Sequence, residues 1–235
     1  MASIVHIRGL RKDYQALRPL RVRELALAPG EIVSIGGMDA LAAEMLVSLL
    51  TGAALPDEGD VRLFDRSTAE IPDADEWLGL LDGVGLVTAR AVLIEQFSVR
   101  QNLALPFTLA VDPIAEDVRP RVEAVADEVG VPARDRDVAV GAAGAEIVTR
   151  VRLGRALALA PALLLAEHPT ADLPRDRAAA FGEDLARIAR QRALAVLAIT
   201  ADEPFARALG GRRLVHQPAT GVCAEQGFWG RMFGG

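Results

Sequence analysis

Apolar positions along the chain fall into short runs separated by polar and glycine-rich joints, and the period of each run predicts its element. Ser3 to Ile7 alternates as a short strand does, and Leu20 to Ala28 is a second strand closed by the turn pair Pro29-Gly30. Glu31 to Ile35 is a buried type of strand that meets Gly36-Gly37, and Ala40 to Leu50 follows with the Ala, Leu, Met and Glu content that favours helix. This strand–glycine–helix order is the core of a phosphate-binding fold, because a helix N-terminus presents free N–H groups to an anion. A turn at Pro56-Asp57-Glu58-Gly59 precedes a strand at Val61 to Phe64, and Trp77 to Val87 leads into another strand. Val99 to Leu109 and Val118 to Val129 read mostly as helix, interrupted at Pro106, Pro113 and Pro120. Arg150 to Leu159 is helical, Ala162 to Ala166 is a buried strand, Phe181 to Arg192 an amphipathic helix and Leu194 to Ile199 a buried strand. Strands alternating with helices predict an α/β fold with a largely parallel sheet.

Composition narrows the function. The 235 residues can bury a real core, and 51% hydrophobic with 25% charged is ordinary for a globular protein. A formal charge of −6 argues against a broad nucleic-acid surface. One cysteine, Cys223, excludes an internal disulfide framework and fits a cytoplasmic setting. The most apolar stretch, Ala156 to Ala166, is broken by Pro161 and is far short of the roughly 20 residues that span a bilayer, so no transmembrane segment is expected. Lys12 is the only lysine, so no mechanism can use a lysine in mid-chain.

Pro29-Gly30-Glu31-Ile32-Val33, Leu49-Leu50-Thr51-Gly52, Pro56-Asp57-Glu58-Gly59, Gln101-Asn102-Leu103-Ala104-Leu105-Pro106, Arg155-Ala156-Leu157-Ala158 and Pro169-Thr170-Ala171 stand in one order along the chain. In that order and spacing they resemble the ATP-binding subunits of ABC transporters, from about Ile4 to Gly221; Leu105-Pro106 is similar to the lipoprotein-release and macrolide-exporter branch. The resemblance implies a P-loop NTPase (RecA-like) core with an N-terminal antiparallel β subdomain and an inserted helical subdomain at roughly 90–150. It implies one domain over 1–221. The residues themselves predict a glycine- and aromatic-rich tail over 222–235, which is either disordered or anchored through Phe228, Trp229 and Phe233 to the domain, a partner or a membrane surface.

The family's phosphate loop reads G-x-x-G-x-G-K-S/T, in which the lysine neutralises phosphate and the hydroxyl holds magnesium. Here the resemblance places Gly37 at the first glycine, Ala40 and Ala42 at the next two, Ala43 at the lysine, Glu44 at the Ser/Thr and Met45 just after. Asp39 and Glu44 put negative charge where phosphates would lie, a penalty of about 1 kcal/mol or more each. Asp39 either caps the helix in place of a phosphate or is an exposed loop acid without a role. Glu167 takes the magnesium-linked Asp position and His168 the catalytic Glu position, so His168 is either a hydrogen-bonded structural residue or a base. Ala89 stands for the glutamine that links the phosphate site to the permease, and Ala201 for the switch histidine. The signature motif aligns with Ala143 to Ile147, so Gly144, Ala145 and Glu146 are its equivalents. Tyr14 either stacks on adenine, as the family's aromatic does, or packs at a strand end.

No catalytic residue, metal ligand or cofactor is therefore expected. Three readings stay open. The chain is a non-hydrolysing accessory subunit that docks to a membrane permease or another ABC ATPase, peripheral to the inner face of the membrane. Alternatively it is a soluble regulatory or binding protein on the same fold. In the third reading it binds ATP and magnesium with Arg90, Arg150 or Arg152 in place of the missing lysine.

Overall fold

A computed structural model describes residues 3–226 apart from residue 72. The anchors expected at Phe228, Trp229 and Phe233 lie outside the described residues. In chain order the strands and helices are β1 (Val5–Lys12), β2 (Leu20–Leu27), β3 (Ile32–Gly36), α1 (Ala40–Leu50), β4 (Glu58–Leu63), β5 (Arg66–Ser67), α2 (Ala74–Leu81) and β6 (Val84–Thr88). After them come α3 (Val99–Ala104), α4 (Arg119–Glu128), α5 (Ala145–Leu157), β7 (Leu163–Glu167), α6 (Ala178–Arg192), β8 (Ala195–Ile199), α7 (Glu203–Leu209), β9 (Arg212–Gln217) and β10 (Val222–Glu225).

Two sheets result. The first is antiparallel in the order β2-β1-β4-β5. The second runs β10-β9-β3-β8-β7-β6, parallel throughout except for the β9–β10 hairpin. Every residue of β7 and β8 is buried, as a parallel sheet covered on both faces requires. Side chains that alternate along these strands enter two different cores. Leu163, Leu165, Leu197 and Ile199 join α1 and the antiparallel sheet, whereas Leu164, Ala166, Val196 and Ala198 join α3 to α7. The α/β layout with an antiparallel subdomain and a helical insertion is thus the observed one.

Some expectations need correction. Trp77 belongs to α2, where its indole N–H donates to the Thr51 carbonyl (2.8 Å), rather than to the approach of a strand. The helix expected from Val99 to Leu109 ends at Ala104, before the Pro106 break. The first strand extends well past Ile7, because Gly9 (φ +59°) forms a bulge that breaks the alternation but not the pairing with β4. Residues 222–225, expected within the tail, form β10 instead: Val222–Glu225 pair with Gln217–Leu214.

Candidate functional site

The β3–α1 joint sets the site. Gly37 holds φ +81° there, and a Cβ at this position would lie 2.6 Å from the His216 carbonyl oxygen, so only glycine lets the turn pass against β9. Asp39 is the N-cap of α1: its backbone is extended and its carboxylate accepts the Ala42 N–H at 2.8 Å. A side chain of the protein therefore satisfies one of the free N–H groups at the helix terminus. Ala40 is exposed, Ala42 is nearly buried, and Ala43 is wholly buried in the core beside β3 and β8. Met45 packs against the same core, and Glu44 projects toward the end of β6.

Glu44 and Glu167 meet one cation. Arg90, just beyond β6, pairs through Nη1 with Glu44 and through Nη2 with Glu167 at 2.5 Å. Its backbone N–H donates to Thr88 Oγ1 (3.3 Å), which fixes the turn from which the guanidinium reaches back. Glu167 is almost fully buried at the end of β7, while Arg90 and Glu44 are about half exposed. Arg150 and Arg152, the other arginines considered for a phosphate-clamping role, are engaged elsewhere. Arg150 pairs with Glu146 and Asp184 (3.1 and 2.9 Å), and Arg152 with Asp172 (2.7 Å).

His168 follows Glu167 in the left-handed region (φ +42°), held by its N–H to the Ile199 carbonyl (2.8 Å). Among the described residues its buried Nε2 has no hydrogen-bond partner, unlike the hydrogen-bonded structural histidine expected. Ala201 is exposed and offers no polar group; the nearby Asp202 instead caps α7 and accepts from Thr170 Oγ1 (2.9 Å). Ala89 is exposed beside Arg90. Gly144 caps α5 without a side-chain bond, Ala145 is exposed, and Glu146 faces Arg150 and Arg177, so these three form a separate cluster.

Tyr14 does meet the phosphate-type loop. It lines a cleft of about 770 Å³ with Leu17, Gly37, Met38, Asp39 and Leu41. Burial first, and the Asp39 charge second, raise its hydroxyl pKa above the ordinary value. Position alone revealed Arg90 only as a lysine substitute. Its pairing with Glu44 and Glu167 depends on β6 and β7 ending side by side.

No family model matches the chain. The lipoprotein-releasing system ATP-binding protein LolD of Acinetobacter baylyi is 31% identical over 183 residues, covering 78% of this chain and 80% of LolD. This chain belongs to the ATP-binding subunits of ABC transporters. A second member, the methionine import ATP-binding protein MetN of Brucella abortus, is 27% identical over 96% of this chain, which spans 60% of MetN. Among solved structures, the ATP-binding cassette MJ0796 bound to ADP and Pi superposes with a TM-score of 0.77 at 23% identity, covering 94% of this chain and 97% of that one. The cbiO1 subunit of the Clostridium perfringens cbiONQ transporter gives 0.79 at 18% identity over 100% and 92%. These two likenesses concern the fold. No helix of this ABC subunit, among the described residues, is long and apolar enough to cross a membrane.

A second groove of about 350 Å³, beginning next to Arg90 at Ala91, is lined by Leu86, Leu93, Leu105, Arg152 and Arg155. Arg155 donates to the Val92 carbonyl (2.7 Å), which ties the segment after Arg90 to α5. Burial lowers the pKa of the Arg155 guanidinium. Val92 and Leu109 are also strongly exposed.

Proposed function

We propose that this ABC subunit is a non-hydrolysing accessory component of an ABC-type transport complex, a pseudo-ATPase that holds a partner rather than driving it. The pairing of Glu44 and Glu167 with Arg90 carries the reading. In the family register these are the two positions that hold magnesium, and here both are engaged by a guanidinium. The residues do not fit a magnesium–triphosphate group. Asp39 takes the helix N–H that a phosphate would accept from, Ala43 brings no positive charge, and two carboxylates stand beside the anion's place. The alternative in which an arginine clamps phosphate is disfavoured, because Arg150 and Arg152 are paired elsewhere and Arg90 is neutralised by two acids.

The groove around Leu86, Leu93 and Leu105, with the exposed Val92 and Leu109 on the same subunit, supports a partner surface, which would place the subunit at a membrane through a permease. Ala89, with no polar side chain to link the site to that groove, favours the second reading, a regulatory protein without a membrane partner. Thermal unfolding with and without about 5 mM MgATP tests the main reading, since binding at a hundred times Kd would stabilise by about 2.7 kcal/mol. No ATP-specific shift and no phosphate release are expected. An ATP-specific rise in Tm accompanied by turnover would overturn it. Fractionation of the native host separates the two non-hydrolysing readings: recovery with membranes supports the accessory subunit, and recovery only in the soluble fraction supports the regulatory protein.

A further inference from the structure

We propose that Arg90 is a built-in cation, standing permanently where the family register puts a divalent metal between the phosphate-loop helix and the end of β7. Glu44 lies on α1 and Glu167 at the end of β7, and a single planar guanidinium bridges them with separate nitrogens. Without Arg90 the two carboxylates would face one another as like charges, one of them nearly buried, and a buried unpaired carboxylate is costly. A divalent ion is the other simple way to join two such oxygens. The guanidinium is the stronger fit here because it arrives covalently, on a turn fixed by the Thr88 hydroxyl and carbonyl.

The bridge also has a mechanical role. The segment beginning at Arg90 is held at its first residue by Glu44 and Glu167, and two residues later by Arg155 on the Val92 carbonyl. Ala91 and Leu93 of the same segment line the groove that also holds Arg155. The groove is therefore kept formed by the chain's own charges, independently of metal or nucleotide.

The test uses Mn²⁺ alone, without nucleotide, so its failure is distinguishable from failure of the accessory-subunit reading. For the unaltered chain, Mn²⁺ titration followed by electron paramagnetic resonance should show no bound metal, and Tm should not move. Arg90→Gln removes the charge and keeps a polar side chain, two atoms shorter. It should lower Tm by several degrees, bind Mn²⁺ and recover stability on adding it, and Glu44→Gln in the same chain should abolish that recovery. Metal binding by the unaltered chain overturns the proposal. So does an Arg90→Gln chain that ignores Mn²⁺, or one whose metal response survives loss of Glu44. If Arg90→Gln does not fold in metal-free buffer, refolding in Mn²⁺ becomes the readout: recovery of folded protein supports the built-in cation, and no recovery overturns it.

Discussion

At the scale of single residues, Asp39 and Arg90 settle opposite sides of the same joint. Asp39 is solvent-exposed, yet its carboxylate accepts an N–H of the first turn of α1. Asp39→Ala should cost about 1 kcal/mol of stability, as loss of an N-cap does, and Asp39→Ser should keep most of it. Urea denaturation of the two variants checks this; equal losses would show that the carboxylate's charge, not its capping bond, matters. The cap was legible in the sequence because a helix start is a local signal: Asp39 sits one residue before a run of helix formers. The ion pair was not legible as such. Arg90 and Glu167 are 77 positions apart, and only the parallel pairing of β6 with β7 sets their ends side by side. Periodicity and composition carry no term for such a contact.

At the scale of elements, the same division holds. α1 spans Ala40–Leu50 as its composition predicts, and β8 lies within the apolar run that announced it. Short, polar or half-exposed elements escaped: α7 has seven residues with Pro204 near its start, and β10 has four, two of them only half buried. Their existence depends on the sheet edge and on Asp202 as a cap rather than on any strong period. The loop between β6 and α3 is shaped instead by one buried amide. Asn102 has no exposed surface; its Oδ1 accepts the Ile94 N–H (2.9 Å), and its Nδ2 donates to the Ile94 and Ser98 carbonyls (3.0 and 3.1 Å). Asn102→Leu would leave these backbone groups buried without partners, and about 2–4 kcal/mol of stability should be lost. Amide hydrogen exchange should then rise first at Ile94; unchanged protection there would show that the loop does not depend on Asn102.

At the scale of the whole molecule, arginines on one element pair with acids on another. Arg192 of α6 donates through Nε to Glu128 of α4 (2.6 Å) and through Nη1 to the Leu157 carbonyl of α5 (2.8 Å). Arg136 and Arg100 both bind Glu123 on α4 (2.5 and 2.6 Å). Burial pushes Glu123 upward, but the two hydrogen bonds outweigh it and hold its pKa below the ordinary 4.5. A carboxylate with a depressed folded pKa contributes stability that is fully present above its unfolded value. That contribution is lost as pH falls through the lower folded value. Tm should therefore hold steady from neutrality down to about pH 5 and drop below it. The arginines keep their charge in that range, so protonating the acids leaves guanidinium groups repelling across α4. Glu123→Gln should lower Tm at pH 7 by several degrees, because Arg100 and Arg136 lose a charged acceptor. Its profile should also be flatter below pH 4.5, because the group whose protonation was destabilising is gone. A calorimetric pH series on both chains checks this. Parallel curves displaced by a constant Tm would place the acid sensitivity elsewhere, and Asp60, whose carboxyl is also held below its ordinary pKa through hydrogen bonds from Arg62 and Ser67 despite partial burial, would be the next residue to substitute.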